Sequence, residues 1–304
     1  LGTFWSHAVA SSTPPSDFKL QITAWQHHFS ELFGEEALSR VKGFSLPEMH
    51  LPNNPEVLYR LIHAINECGY RWIMVQEDSV ENLDGSKLSK KQKYMPNLLK
   101  AQSNNGDVVS IIALIKTQGS DTKLVGQMQP YYEALSLRKT KLGQVTIPLL
   151  VSQIADGENG GVMMNEFPQA FIHAYKKIGL RANESETIAM NGSEYLDLID
   201  LSNINKESYP VIQAIDQHKI WQMISGPITP TSVEKAISKV KKKDNTFSMS
   251  GASWTNNLNW EDGYENVLEP ISKLSSYFHQ TFDHLVIQDP SVTKTHSYKE
   301  ALLY

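Results

Sequence analysis

The chain has 304 residues, 40% hydrophobic and 20% charged, proportions that suit one large folded domain with an appendage and exclude a disordered chain or a coiled coil. Lys and Arg total 28 against 33 Asp and Glu, a formal charge of −5, and basic residues concentrate only at Lys239 to Lys243, so no nucleic-acid partner is expected. The single cysteine, Cys68, excludes an internal disulfide framework and any multi-cysteine metal site, which fits a reducing compartment and leads to an expected cytoplasmic location.

No apolar run approaches the roughly 18 residues of a membrane span, so no membrane partner is expected. Phe4 to Ala10 reads as a first strand, and Ser11 to Ser16, with Pro14 and Pro15, as a loop. Asp17 to Phe33 places Phe18, Ile22, Trp25, Phe29 and Leu32 at helical spacing, with Gly34 as the stop. Arg40 to Leu46 is a short strand closed by Pro47, which leaves Glu48 just beyond a strand end. Asn54 and Pro55 then supply an N-cap and a first-turn proline for a helix whose stripe is Val57, Leu58, Leu61, Ile62 and Ile65. Tyr70 to Val75 is the next strand and runs into Gln76, Glu77 and Asp78, completing a βαβ unit.

Ser79 to Gly106 is polar and reads as irregular, whereas Val108 to Ile115 and Val145 to Ala155 read as buried strands. The second delivers Asp156 into a Gly-rich turn with Glu158 and Asn159. Phe167 to Ile178, Ser193 to Ile199 and Val267 to Phe282 read as helices. Prolines 227 and 230 and the lysine run mark a composition change, which divides the chain into residues 1–225 and a mainly helical region, 226–304. Leu1 is not a methionine, and Tyr304 falls inside a helical pattern, so a segment of a longer protein is expected.

Parallel α/β sheets put their chemistry at the carboxyl ends of strands, which directs attention to Glu48, to Glu77 and Asp78, and to Asp156 with Glu158. Two carboxylates on separate strands are what retaining glycoside hydrolysis uses, one attacking the anomeric carbon and the other serving as acid and then base at a separation of about 5 to 5.5 Å. Trp5, Trp221, Trp254 and Trp260 could stack on sugar faces, although a core is the commoner place for any single tryptophan. His7, His27, His28 and His50 with Asp17 allow a metal reading, but the adjacent His27 and His28 point different ways on a helix and no H-E-x-x-H pair occurs. No metal site is expected. Ser11, Ser12 and Ser250 lack a nucleophile elbow, and Gly157 to Gly161 matches neither a P-loop nor a dinucleotide fingerprint.

Three stretches resemble glycoside hydrolase family 57, the α-glucan-active amylases, 4-α-glucanotransferases, branching enzymes and amylopullulanases. His7 to Ser12 with Asp17 to Gly34 is similar to the family's histidine strand and following helix. Gly43-Phe44-Ser45-Leu46-Pro47-Glu48, with Val57 to Tyr70, resembles its G-x-W-L-P-E segment, helix and next strand. Asp156-Gly157-Glu158-Asn159 is similar to its D-G-E-N segment. The resemblance covers roughly residues 4 to 200. It implies an incomplete (β/α)7 barrel of the glycoside hydrolase 57 and polysaccharide deacetylase type, followed by a C-terminal helical region. Glu48 falls on the nucleophile, Asp156 on the acid/base and His7 on a histidine lining the cleft. Trp5, Glu77, Asp78, Glu158, Trp221 and Trp254 are the further substrate contacts expected. Ser45 stands where many members carry tryptophan, and the family's H-Q-P strand is absent. The expected activity is retaining hydrolysis or glucanotransfer on an oligo- or polysaccharide, without a cofactor. A metal-dependent polysaccharide deacetylase and a non-catalytic glucan-binding protein remain the alternatives.

Overall fold

The computed structural model describes residues 1–117, 128–152, 154, 167–180, 187–251 and 265–303. In chain order they form α1 (Phe18–Phe33), α2 (Glu35–Ser39), β1 (Gly43–Ser45), α3 (Pro55–Glu67), β2 (Trp72–Gln76), β3 (Val80–Asn82), β4 (Asn97–Gln102) and β5 (Val108–Lys116). After these come α4 (Gln129–Ser136), β6 (Thr140–Leu142), β7 (Val145–Ile147), α5 (Phe167–Leu180), α6 (Gly192–Leu201), β8 (Val211–Ala214), α7 (Gln217–Gln222), α8 (Pro230–Lys243), α9 (Glu265–Gln288) and α10 (His296–Leu303).

The starts of two helices follow directly from side-chain chemistry. Asn54 Oδ1 accepts the backbone N–H groups of Glu56 and Val57, and Pro55 fills the first turn, where no N–H is needed. Asn191 and Glu194 close a reciprocal capping box at α6. At the other end of α1, Gly34 at φ 86° donates its N–H to Ser30 and stops the helix.

Among the described residues the central sheet has strand order β1-β2-β5-β4-β8-β3. Its first three strands are parallel, with Gly43 opposite Trp72, Ser45 opposite Met74, and Trp72 to Gln76 opposite Ile112 to Lys116. Gly2 pairs with Phe44 in the same direction, so the first residues act as a strand beside β1. The remaining pairs are mixed: β4 runs antiparallel to β5, β8 parallel to β4, and β3 antiparallel to β8. The fold is therefore mixed α/β around a parallel-rich sheet.

Successive strand residues point to opposite faces, and both faces are covered. Ile73, Val75, Ile111, Ala113 and Ile115 pack with α1 and α3 through Phe18, Ile22, Leu58, Leu61, Ile62 and Ile65. Trp72, Met74, Ile112 and Leu114 pack on the opposite face with Tyr195, Leu196 and Ile199 of α6. Each fully buried leucine or isoleucine contributes about 1.5–3 kcal/mol through burial. A smaller cluster joins α7 and α8 through Ile220, Val233, Ala236 and Val240.

Three segments differ from expectation. Phe4 to Ala10 is not a strand: only Gly2 pairs with β1, and a tight turn begins at Ala10. Ser79 to Gly106 contains β3 and β4, and β4 alternates buried and half-buried positions as a strand with unlike faces does. Val145 to Ala155 is not one strand: β7 pairs antiparallel with β6 and ends at Ile147, because Pro148 has no N–H to continue a ladder. Further on, Ser152 bridges to Lys116 in parallel.

Helix α9 docks on the start of α1 through polar contacts. His279 Nε2 lies 2.8 Å from Asp17 Oδ1 and its Nδ1 lies 2.9 Å from Asp283 Oδ1, while Ser275 donates to Asp17 at 2.8 Å. Burial alone would lower the proton affinity of His279, but the bonds to Asp283 and Asp17 outweigh it and hold the imidazole above its ordinary value of 6.5. A raised folded-state value gives stabilisation that is complete below the unfolded value and is lost as pH rises through the folded one. The denaturation midpoint should accordingly fall as pH rises above about 6.5, the ordinary value, and His279→Gln should flatten that part of the profile. Separately, Asn54→Ala should cost about 1 kcal/mol in urea denaturation, by exposing two unpaired N–H groups at the start of α3.

Candidate active site

The parallel pairing of Gly2, β1 and β2 brings three chain segments out at one edge of the sheet. Beside β1, the first segment continues through buried Phe4 to Trp5 and His7. From β1 the chain passes Leu46 and Pro47 to Glu48, and from the matched register of β2 it passes to Glu77 and Asp78. The sheet thus sends the stretches that carry His7, Glu48, and Glu77 with Asp78 out at the same end, and of these His7 and Glu48 meet directly.

Glu48 has φ 53° and ψ 13°, and Met49 follows at φ 51°, two successive left-handed residues, neither of them glycine. Such a conformation costs a side-chain-bearing residue about 1–2 kcal/mol. It is held because Met49 N–H donates to Leu46 O at 3.0 Å, His50 N–H donates to Pro47 O at 3.2 Å, and the Met49 side chain is buried in the core. The turn points the Glu48 carboxylate toward His7, whose Nε2 lies 2.9 Å from Oε1. With the His7 side chain 72% exposed, this contact adds little stability. Its effect is to orient the carboxylate.

At the end of β2, Glu77 accepts a hydrogen bond from Lys93 Nζ at 2.8 Å. Lys116, which ends β5 opposite Gln76, is buried. Nearby, the Tyr94 hydroxyl donates to Glu133; burial first, and then that bond, push its ionisation above the ordinary value, so it remains a hydroxyl. Lys93 was not legible because its partner lies 16 residues away across a loop. Lys116 did carry a signal, a charged residue closing an apolar strand.

Trp5 is half-exposed and meets His28 edge-on, with ring centroids 4.7 Å apart. Trp221 lies on α7 and packs against the α7–α8 cluster. Asp156, Glu158, Trp254 and Trp260 lie outside the described residues. Among the described residues, no group of three or more His, Cys, Asp or Glu side chains is placed to hold a metal ion, and no helix is long and apolar enough to cross a membrane.

No protein-family model and no curated protein sequence match this chain. Its structure is similar to that of the 4-α-glucanotransferase from Thermococcus litoralis, with a TM-score of 0.53 and 17% identity, over 99% of this chain and 42% of the transferase. The two share a fold. This chain therefore spans less than half the length of that enzyme. Lower similarity is found to an exo-type maltose-forming amylase from Pyrococcus sp. ST04, with a TM-score of 0.49 and 11% identity, over 71% of this chain and 34% of the amylase. An α-amylase from Thermotoga maritima gives 0.36 and 12%, over 95% of this chain and 57% of the amylase.

The left-handed Glu48 makes the site testable without a substrate. Glycine removes the steric cost of this conformation, about 1–2 kcal/mol, but adds about 0.5–1 kcal/mol of chain entropy. Glu48→Gly should therefore leave the protein as stable as before or up to about 1.5 kcal/mol more stable in urea denaturation. Destabilisation would show that the turn is relaxed.

Proposed function

We infer that this chain carries the catalytic machinery of a retaining α-glucan-active enzyme of the family 57 type, with Glu48 as nucleophile and Asp156 as acid/base. The observation that carries the reading is the oriented Glu48, strained at a strand end and held 2.9 Å from His7, in a fold shared with a 4-α-glucanotransferase. Left-handed side-chain-bearing residues also occur singly at Met128, Asn203 and Asp216, but at Glu48 and Met49 two follow one another at a strand end, and strain of this kind tends to cluster at functional sites. The D-G-E-N segment supports the placement of the second carboxylate.

In the first step Glu48 attacks the anomeric carbon and forms an ester to the sugar. The bond to the leaving oxygen breaks, and that oxygen takes the proton of Asp156. In the second step the Asp156 carboxylate removes a proton from an incoming hydroxyl, which attacks the same carbon and releases Glu48. Water as acceptor gives hydrolysis, and a sugar hydroxyl gives transfer. His7 holds one carboxylate oxygen during the attack, while Trp5 offers an exposed ring at the same sheet edge. Trp221, Trp254, Glu77, Asp78 and Glu158 complete the proposed substrate contacts, in a catalytic region over residues 1–225 with a helical region beyond. The proposed location of the protein is cytoplasmic.

The test is to incubate the full-length parent protein with maltoheptaose and separate the products by chain length. Glu48→Gln should lower turnover by about a thousandfold or more. Asp156→Asn should do the same on maltoheptaose yet still release fluoride from an α-maltosyl fluoride, whose leaving group needs no proton. Products longer than seven sugars identify transfer. Full activity in Glu48→Gln would remove the assignment, and loss of acetyl groups from an acetylated glycan, abolished by a chelator, would replace it with a deacetylase.

A further inference from the structure

We propose that Asn53 is a positioning residue for Glu48: it ties the loop that carries Glu48 to the segment 248–251 near the C-terminal region, so that the two form one unit. The proposal rests on the reading of Glu48 as the nucleophile. Asn53 is 2% exposed and lies five residues past Glu48 in the stretch that leads to α3. Its side-chain amide is used on both sides, as a peptide group would be in a strand ladder. Nδ2 donates to the Ser248 carbonyl at 2.7 Å, and Oδ1 accepts the Gly251 N–H at 2.9 Å. Its backbone carbonyl accepts a third bond, at 3.1 Å, from Nε2 of Gln217, a buried residue of α7 just after β8.

The contact between the two segments is reinforced twice. His50, fully buried, donates through Nε2 to the Ser250 carbonyl and lies 2.7 Å from Ser11 Oγ, which adds the loop following His7 to the same knot. Gly251 has φ 82°, and a β-carbon there would overlap the Leu51 carbonyl oxygen, so the two backbones touch where no other residue fits. Three positions of the Glu48 loop, His50, Leu51 and Asn53, are thus held by a segment about 200 positions away in sequence. Glu48 and Met49 are strained, and strain persists only where the surroundings over-determine the backbone. The bonds on the near side of Glu48, from Met49 to Leu46 and from His50 to Pro47, close the turn. Asn53 fixes where that turn sits.

A misplacement of about 1 Å at a reacting group costs about a hundredfold in rate. Asn53→Ala should therefore lower kcat on maltoheptaose by about tenfold to a hundredfold and leave KM within about threefold, because the substrate contacts are untouched. Gly251→Ala, far away in sequence, should give the same split. A second reading needs no substrate: the ring resonances of His7, identified by their loss in His7→Gln, report the contact with Glu48 and should move in both variants. Lys273→Ala, on exposed α9, should leave them in place. Unmoved His7 resonances in Asn53→Ala and Gly251→Ala, or unchanged kcat in either variant with an active wild type, would overturn the proposal. If the wild type turns over no glucan, the functional reading fails on its own, and the resonances still decide whether Asn53 places Glu48.

Discussion

Parallel pairing in register between Gly2, β1 and β2 is the constraint on which the rest of this molecule depends. A one-residue slip would exchange the two faces of a strand and move Met74 into the place of Ile73 or Val75, which the covered faces forbid. Because the register is locked, the stretches that follow Gly2, β1 and β2 leave the sheet at the same end, and His7 meets Glu48 although 41 positions separate them. The candidate site follows from core packing, in that apolar layers on both faces fix the strands that lead to its polar groups.

Much of that framework was legible beforehand. The N-cap at Asn54 with Pro55, the apolar stripe of α3 and the stop at Gly34 are local signals whose physics acts within a turn. What escaped was β4, whose sequence Asn97 to Gln102 is too polar to look buried. Yet it alternates, and Asn105 and Gly106 between it and β5 are a hairpin signal. Strand β8 was invisible for a different reason: four residues after Pro210 become a strand only because β4 and β3 stand ready to pair with them. Composition misleads where a strand inserts among neighbours that supply its burial.

The site divides along the same line. Glu48 could be picked out because it follows a strand, and His7 because the stretch around it, like the motif around Glu48, carries a resemblance. The groups that hold them could not. Lys93 on Glu77, Gln217 on the Asn53 carbonyl, and Ser248 and Gly251 on the Asn53 amide are pairings made by tertiary structure, with no local spacing to announce them. Glu81 of β3, buried and bonded to Gln213 of β8 and His218 of α7, is another case: a buried carboxyl group needs partners, and here they lie more than 130 positions away.

Trp72 has a consequence of its own. Its indole leaves no room for a β-carbon at Gly43 on one side or at Gly192 on the other, and its Nε1–H donates to Ser193 Oγ at 3.0 Å. One ring therefore seats both the strand that leads to Glu48 and the start of α6. Any lineage that shrinks this ring opens a void under two elements at once, and any lineage that enlarges either glycine must first give up the ring. The two glycines, about 150 residues apart in the chain, are thus held to the same requirement by one ring.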